Sequence, residues 1–167
     1  GDESEQMKST RLLALFSDQR SLNIMLDYLN DHAVESSPVI EEIASILVRR
    51  DVRNNVGARE IAKKVISENQ NPDIRRLAVH LLGQCGYEED FDYLMGLFQN
   101  LTDNIVKEAV VQSFDFIIRI SREFNKPFVV NLLKEFLKDP GIKVRMYACA
   151  ILLRLGNQDA LGTIHDM

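Results

Sequence analysis

Residues 139–156, DPGIKVRMYACAILLRLG, form one closed unit: a proline-containing turn, an apolar helix and a terminating glycine. Two degraded copies lie upstream. Superposed on their small residue, the copies put Ala78, Ala109 and Ala148 in one column, spaced by 31 and 39 residues. Ile74, Ile105 and Val144 stand four residues earlier, and Gly86 and Gly156 stand eight residues after the alanine in the outer copies. Ile117 takes the glycine's place in the middle copy, so that helix is expected to run on to about Arg122. The eight extra residues of the longer interval are about two helical turns. Periods of this size belong to short helical units that bury a core only by stacking on one another.

The four prolines agree with helices throughout. Pro38 follows Ser36-Ser37, Pro72 follows Asn71, Pro127 lies two past Asn125, and Pro140 follows Asp139. Each is read in the first turn of an apolar-periodic segment, just after a capping side chain, where its missing N–H costs nothing. No segment holds a period-two alternation bounded by hairpin turns. The chain is therefore expected to be all-α, with helices over 57–68, 72–85, 87–98, 104–122, 127–138 and 141–155. Upstream, residues 1–10 are polar and expected to fray or to begin a helix. Ser17-Asp18 offers a cap for a helix carrying Leu22, Met25, Leu26 and Leu29, and a helix from Pro38 stripes Val39, Ile43, Ile46 and Leu47. Arg49, Arg50 and Arg53 follow that helix. They read as cations at a helix C-terminus and a solvated turn, in preference to an anion site. Glu88, Glu89 and Asp90 suit the positive end of a helix better than a metal, because they lack the alternating spacing of a calcium loop. After Gly156 the opening of the hairpin that follows Gly86 recurs, with Leu161 matching Phe91 and Ile164 matching Leu94; this segment is expected to act as a cap or to mark a truncation.

Asp139-Pro140, Val144-Arg145, Ala148, Leu152 and Leu155-Gly156 together resemble the second half of a HEAT repeat. The copy at Asn71-Pro72, Ile74-Arg75, Ala78, Leu82 and Gly86 is similar, with a shorter loop, whereas in the middle copy Val106 stands in the arginine slot. The resemblance implies a right-handed α-solenoid of stacked antiparallel helical hairpins, one domain over residues 1–167 with its clearest repeats in 57–167. It also implies that the second helix of each hairpin lines a concave side. Arg75 and Arg145 are then structural, Arg145 having Asp139 as its partner. Opposite the alanines, helical spacing marks a solvent-facing strip of Asp73, Arg76, His80 and Gln84, then Asn104, Lys107, Val111 and Asp115, then Lys143, Met146, Ala150 and Arg154. From this strip the candidate partner-binding residues are Arg76, His80, Gln84, Lys107, Val111, Asp115, Lys143, Met146 and Arg154. Four cations against two acids give the strip a small positive bias, on a chain whose net charge is −5. It reads either as a shallow groove for an acidic partner or as an ordinary solvated face.

With 46% hydrophobic residues among 167, a sizeable core can be filled. Cys85 and Cys149 lie in apolar helices and read as small packed hydrophobes, not as a disulfide or metal pair. Free cysteines and the lack of a visible signal favour the cytoplasm, and no apolar run reaches the length of a membrane span. Gly1 in place of methionine reads as the mark of a trimmed chain. The expected function is a non-catalytic protein–protein interaction scaffold for a protein or peptide partner, without cofactor or metal. An enzyme is the first alternative, since relatives of HEAT proteins include some. His32, His80 and His165 are far apart, and no metalloprotease helix, nucleophile elbow or phosphate-cradling glycine loop occurs. A nucleic-acid-binding module is the second; the acidic balance and the absence of Trp argue against it.

Overall fold

The computed structural model describes residues 2–53, 55–121, 124–158, 160 and 162, and the described residues contain nine α-helices and no strand. These are α1 (Glu3–Leu15), α2 (Gln19–Asp31), α3 (Pro38–Val48), α4 (Val56–Glu68), α5 (Pro72–Cys85), α6 (Asp90–Asn100), α7 (Asn104–Ile120), α8 (Lys126–Phe136) and α9 (Ile142–Arg154). They fall into two compact units, residues 1–86 and 87–167. Most helix starts are fixed locally. Asp18, Ser37, Asn55, Asn71, Asp103 and Asn125 each accept a backbone N–H from the first turn they precede. Of the two expectations for residues 1–10, a frayed end or the start of a helix, residues 3–10 take the helix: Asp2 caps α1, and Thr10 is buried.

In the first unit, α1 packs on α3 and α3 on α5, while α2 packs on α4; the α2–α3 and α4–α5 pairs join these two layers. The core is almost entirely aliphatic, with Met25, Leu29, Ile40, Leu47, Ile66, Ile74, Leu81 and Leu82 among its largest fully buried side chains. Polar side chains tie each hairpin to the one before it. Asn69 is buried, and its amide donates to the Ala33 carbonyl at 2.7 Å and the Glu35 carbonyl at 2.8 Å, in the preceding turn. Lys64 donates to the Asn30 carbonyl near the end of α2 at 2.8 Å. Arg50 reaches the Leu13 and Ala14 carbonyls at 3.0 and 3.1 Å, and also that of Phe16, closing the C-terminus of α1. Gln84 donates likewise to the Val48 carbonyl at the end of α3. Of the arginines after α3, Arg50 is thus structural, capping a helix, while Arg53 makes an exposed pair with Asp51 at 2.7 Å.

In the second unit, α7 packs on α6 and α9, and α8 on α9. Here a cluster of phenylalanines joins the aliphatic side chains of the core. Phe91, Phe114 and Phe136 are fully buried, with ring centroids 4.8 Å apart for Phe91–Phe114 and 5.0 Å for Phe114–Phe136; Phe98 adds a fourth ring 4.5 Å from Phe136. Asp90 is wholly buried and accepts the Tyr87 N–H at 2.9 Å, so α6 begins at Asp90 and not at Tyr87. Helix α9 ends on Gly156 at φ 79°, with Gly156 N–H donating to Leu153 and Asn157 N–H to Leu152, both at 2.9 Å. This is the two-bond left-handed cap that glycine adopts without strain. Gly86, at φ −77°, closes α5 without one. The match of Leu161 and Ile164 to the earlier hairpin lies outside the described residues, as does Arg122; α7 is capped at Ser121.

Aligning the copies by their helix caps corrects their register. Asn71, Asp103 and Gly141 are the N-caps of α5, α7 and α9, so Ile74, Val106 and Val144 share one position and Ala78, Val110 and Ala148 the next. All six are buried, whereas Ile105, expected in the apolar slot, is 45% exposed. The intervals become 32 and 38. The turn residue two before the cap is Asn69 in one copy and Asp139 in another, and each accepts the N–H two residues on, at 2.9 and 2.7 Å. Asp139-Pro140 therefore aligns with Asn69-Gln70, and Pro140 lies in the turn and not in the helix. A Cβ at Gly141 would come within 3.0 Å of the Asp139 carboxylate, which accounts for the glycine.

Candidate partner-binding face

The cap register also corrects the strip on α7. Counted from Val110, the positions equivalent to Asp73, Arg76, His80 and Gln84 are Ile105, Glu108, Gln112 and Phe116, none of which is buried. The expected set, Asn104, Lys107, Val111 and Asp115, is one residue off. Val111 is accordingly fully buried and forms no part of a solvent face. Lys107 is in the slot of Arg75 and Arg145, its side chain only 16% exposed, and it pairs with Asp139 at 3.0 Å. Arg145 does not use the Asp139 carboxylate; it donates to the Asp139 and Pro140 carbonyls, each at 2.9 Å. Arg75 donates to the Ile66 carbonyl at 3.2 Å. All three cations in that slot thus brace turns and helix ends.

In the first unit, the expected candidates on α5 are engaged within the fold. Arg76 lies 3.6 Å from Asp73, and Gln84 holds the end of α3. His80 is largely buried, and desolvation, reinforced by the Arg76 charge, lowers its pKa to about 4. It is neutral at pH 7 and carries none of the strip's charge.

In the second unit, α7 and α9 bring two of their candidates, Asp115 and Arg154, together at a groove of about 320 Å³, lined also by Gln112, Phe116, Arg119, Tyr147, Ala150 and Ile151. Asp115 pairs with Arg119 at 2.6 Å and with Arg154 across the groove, while Lys143 lies 3.6 Å from Glu108. Met146 stands beside it, 55% exposed. Every expected cation of the strip thus has an acidic neighbour: Asp73, Asp139, Glu108 and Asp115 for Arg76, Lys107, Lys143 and Arg154. What remains distinctive is apolar and aromatic, in Phe116, Ile120, Met146 and Tyr147. The alanine superposition missed Phe116; the cap-to-valine spacing of Asp103 and Val106 would have found it.

Burial raises the Cys149 thiol above its ordinary pKa, away from a thiolate, and Cys85 is buried as well. No group of three or more His, Cys, Asp and Glu side chains that could hold a metal occurs among the described residues. No helix among them is long and apolar enough to cross a membrane. Comparison of the chain with family models, with curated proteins and with solved structures finds no match.

Proposed function

We propose that the chain is a right-handed α-solenoid of HEAT-like hairpins and works as a non-catalytic protein–protein interaction scaffold, with the α7–α9 face as its contact surface. Three features support the solenoid: alternate helices pack on one another within each unit, the caps recur in register, and side chains of one hairpin close the ends of the previous one. Repeats of this kind present extended surfaces and not closed active sites. The observation that carries the interaction reading is the composition of the α7–α9 groove. Half-exposed Phe116 and Tyr147 lie beside Arg119 and Arg154, and aromatic and arginine side chains are the residues that dominate protein interfaces.

A photoreactive amino acid at position 146, on this face, tests the reading against the same group at Asn131, an exposed residue of α8. In lysate of the source organism, the probe at 146 is expected to crosslink a protein that the probe at 131 does not. Identical crosslinks from both positions, or none from 146, would remove the face from consideration. Charge reversal at Lys107 is a poor probe of the strip, because Lys107 is partly buried against Asp139 and its loss would disturb the fold.

A further inference from the structure

The charges around the α7–α9 groove narrow its occupant. The floor is apolar, with Phe116 and Tyr147 each 37% exposed, next to Ala150 and Ile151. At the rim a single carboxylate, that of Asp115, faces two guanidinium groups, Arg119 from α7 and Arg154 from α9. Among the described residues this arrangement leaves one positive charge beside the aromatic floor. The exposure is uneven too: Arg119 and Arg154 are 62% and 40% exposed, whereas Asp115 is 19%. Exposed ion pairs are worth only about 0–1 kcal/mol. A guanidinium can therefore turn from Asp115 to an incoming carboxylate at little cost, and its planar fork suits a carboxylate. Asp115, mostly covered, stays paired with the guanidinium that does not turn.

We infer that the groove takes an acidic–apolar segment of a protein partner. An apolar side chain of the segment rests on Phe116 and Tyr147, and an Asp or Glu within about one helical turn of it meets Arg119 and Arg154. The inference rests on the α7–α9 face being the interaction face. Charge complementarity selects this occupant: a wholly apolar segment leaves the extra guanidinium without a counter-charge, and a basic one meets it as a like charge.

The test selects a displayed library of random peptides of about 12 residues on the full chain. Enriched peptides are then titrated against the wild type, Ala150→Trp and Arg119→Glu. Both substitutions are at exposed helical positions, and circular dichroism checks that each variant is folded. The expected peptides carry Asp or Glu three or four residues from an aromatic or aliphatic side chain. Ala150→Trp, which fills the groove, abolishes their binding. Arg119→Glu weakens it about tenfold or more, and replacing the peptide's acid with Lys restores it. Peptides blocked by Ala150→Trp but lacking an acid and indifferent to Arg119→Glu would overturn the charge assignment and leave the face standing. Peptides indifferent to both variants, or no enrichment at all, would overturn the groove and the face together. Self-association broken by Ala150→Trp would give the groove to a second copy of the chain, and would equally overturn the inference.

Discussion

His80 shows how a residue's position on a helical wheel and its environment can part company. By spacing it belongs to the solvent-facing column of α5, yet burial holds its pKa near 4, well below the ordinary 6.5. In the unfolded chain the imidazole takes up a proton as pH falls below about 6.5; in the fold it does so only near 4. Protons therefore favour the unfolded state across that window, and stability present above pH 6.5 is lost as pH falls toward 4. The contribution is about 2–3 kcal/mol. The Arg76 charge acts in the same direction, because it disfavours imidazolium. Urea unfolding at pH 7 and at pH 4.5 should show the wild type losing that much more stability than His80→Leu, which has no proton to gain. Equal losses in both proteins would mean that His80 is solvated and that its column faces water after all.

At the scale of the element, helix ends were legible and helix register was not. Caps are local: a Ser, Asn or Asp side chain bonds its own first turn, so Asp18, Ser37 and Asn71 could be read from neighbouring residues alone. The register of α7 depends on which apolar residues meet the neighbouring helices. Ala109, Val110 and Val111 are all buried, so a small-residue column could be drawn through more than one of them. Choosing the alanine shifted the α7 strip by one residue, traded Phe116 for Asp115, and placed Lys107 on a surface where it does not lie. The links between successive hairpins were hidden for a similar reason. Arg50 meets α1 carbonyls 34 to 37 positions earlier in the chain, and nothing near Arg50 in sequence announces them. Removing that side chain leaves the last carbonyls of α1 without their cap. Arg50→Ala should therefore reduce amide-exchange protection in α1 while leaving α4 and α5 protected. Unchanged protection in α1 would mean that water replaces the guanidinium at no cost.

For the whole molecule, the question is whether its charge can act at a distance. The chain is acidic, at −5, and the positive bias read along its strip does not survive as a field. Arg76, Lys107, Lys143 and Arg154 each lie within ion-pair distance of a carboxylate. With the register corrected, Glu108 also replaces Lys107 on the strip itself. A polyphosphate backbone is bound by releasing counterions to several unneutralised cations at once, and affinity then rises steeply as salt is lowered. The extra guanidinium at Asp115 is one charge beside an aromatic floor, enough to orient a carboxylate but not to hold a duplex. A labelled DNA duplex should therefore show no retardation by this protein even at about 50 mM salt, where such binding is strong. A salt-dependent shift would mean that cations of the strip leave their carboxylates for phosphate, and the α7–α9 groove would then have to be reread as a phosphate contact and not as a peptide site.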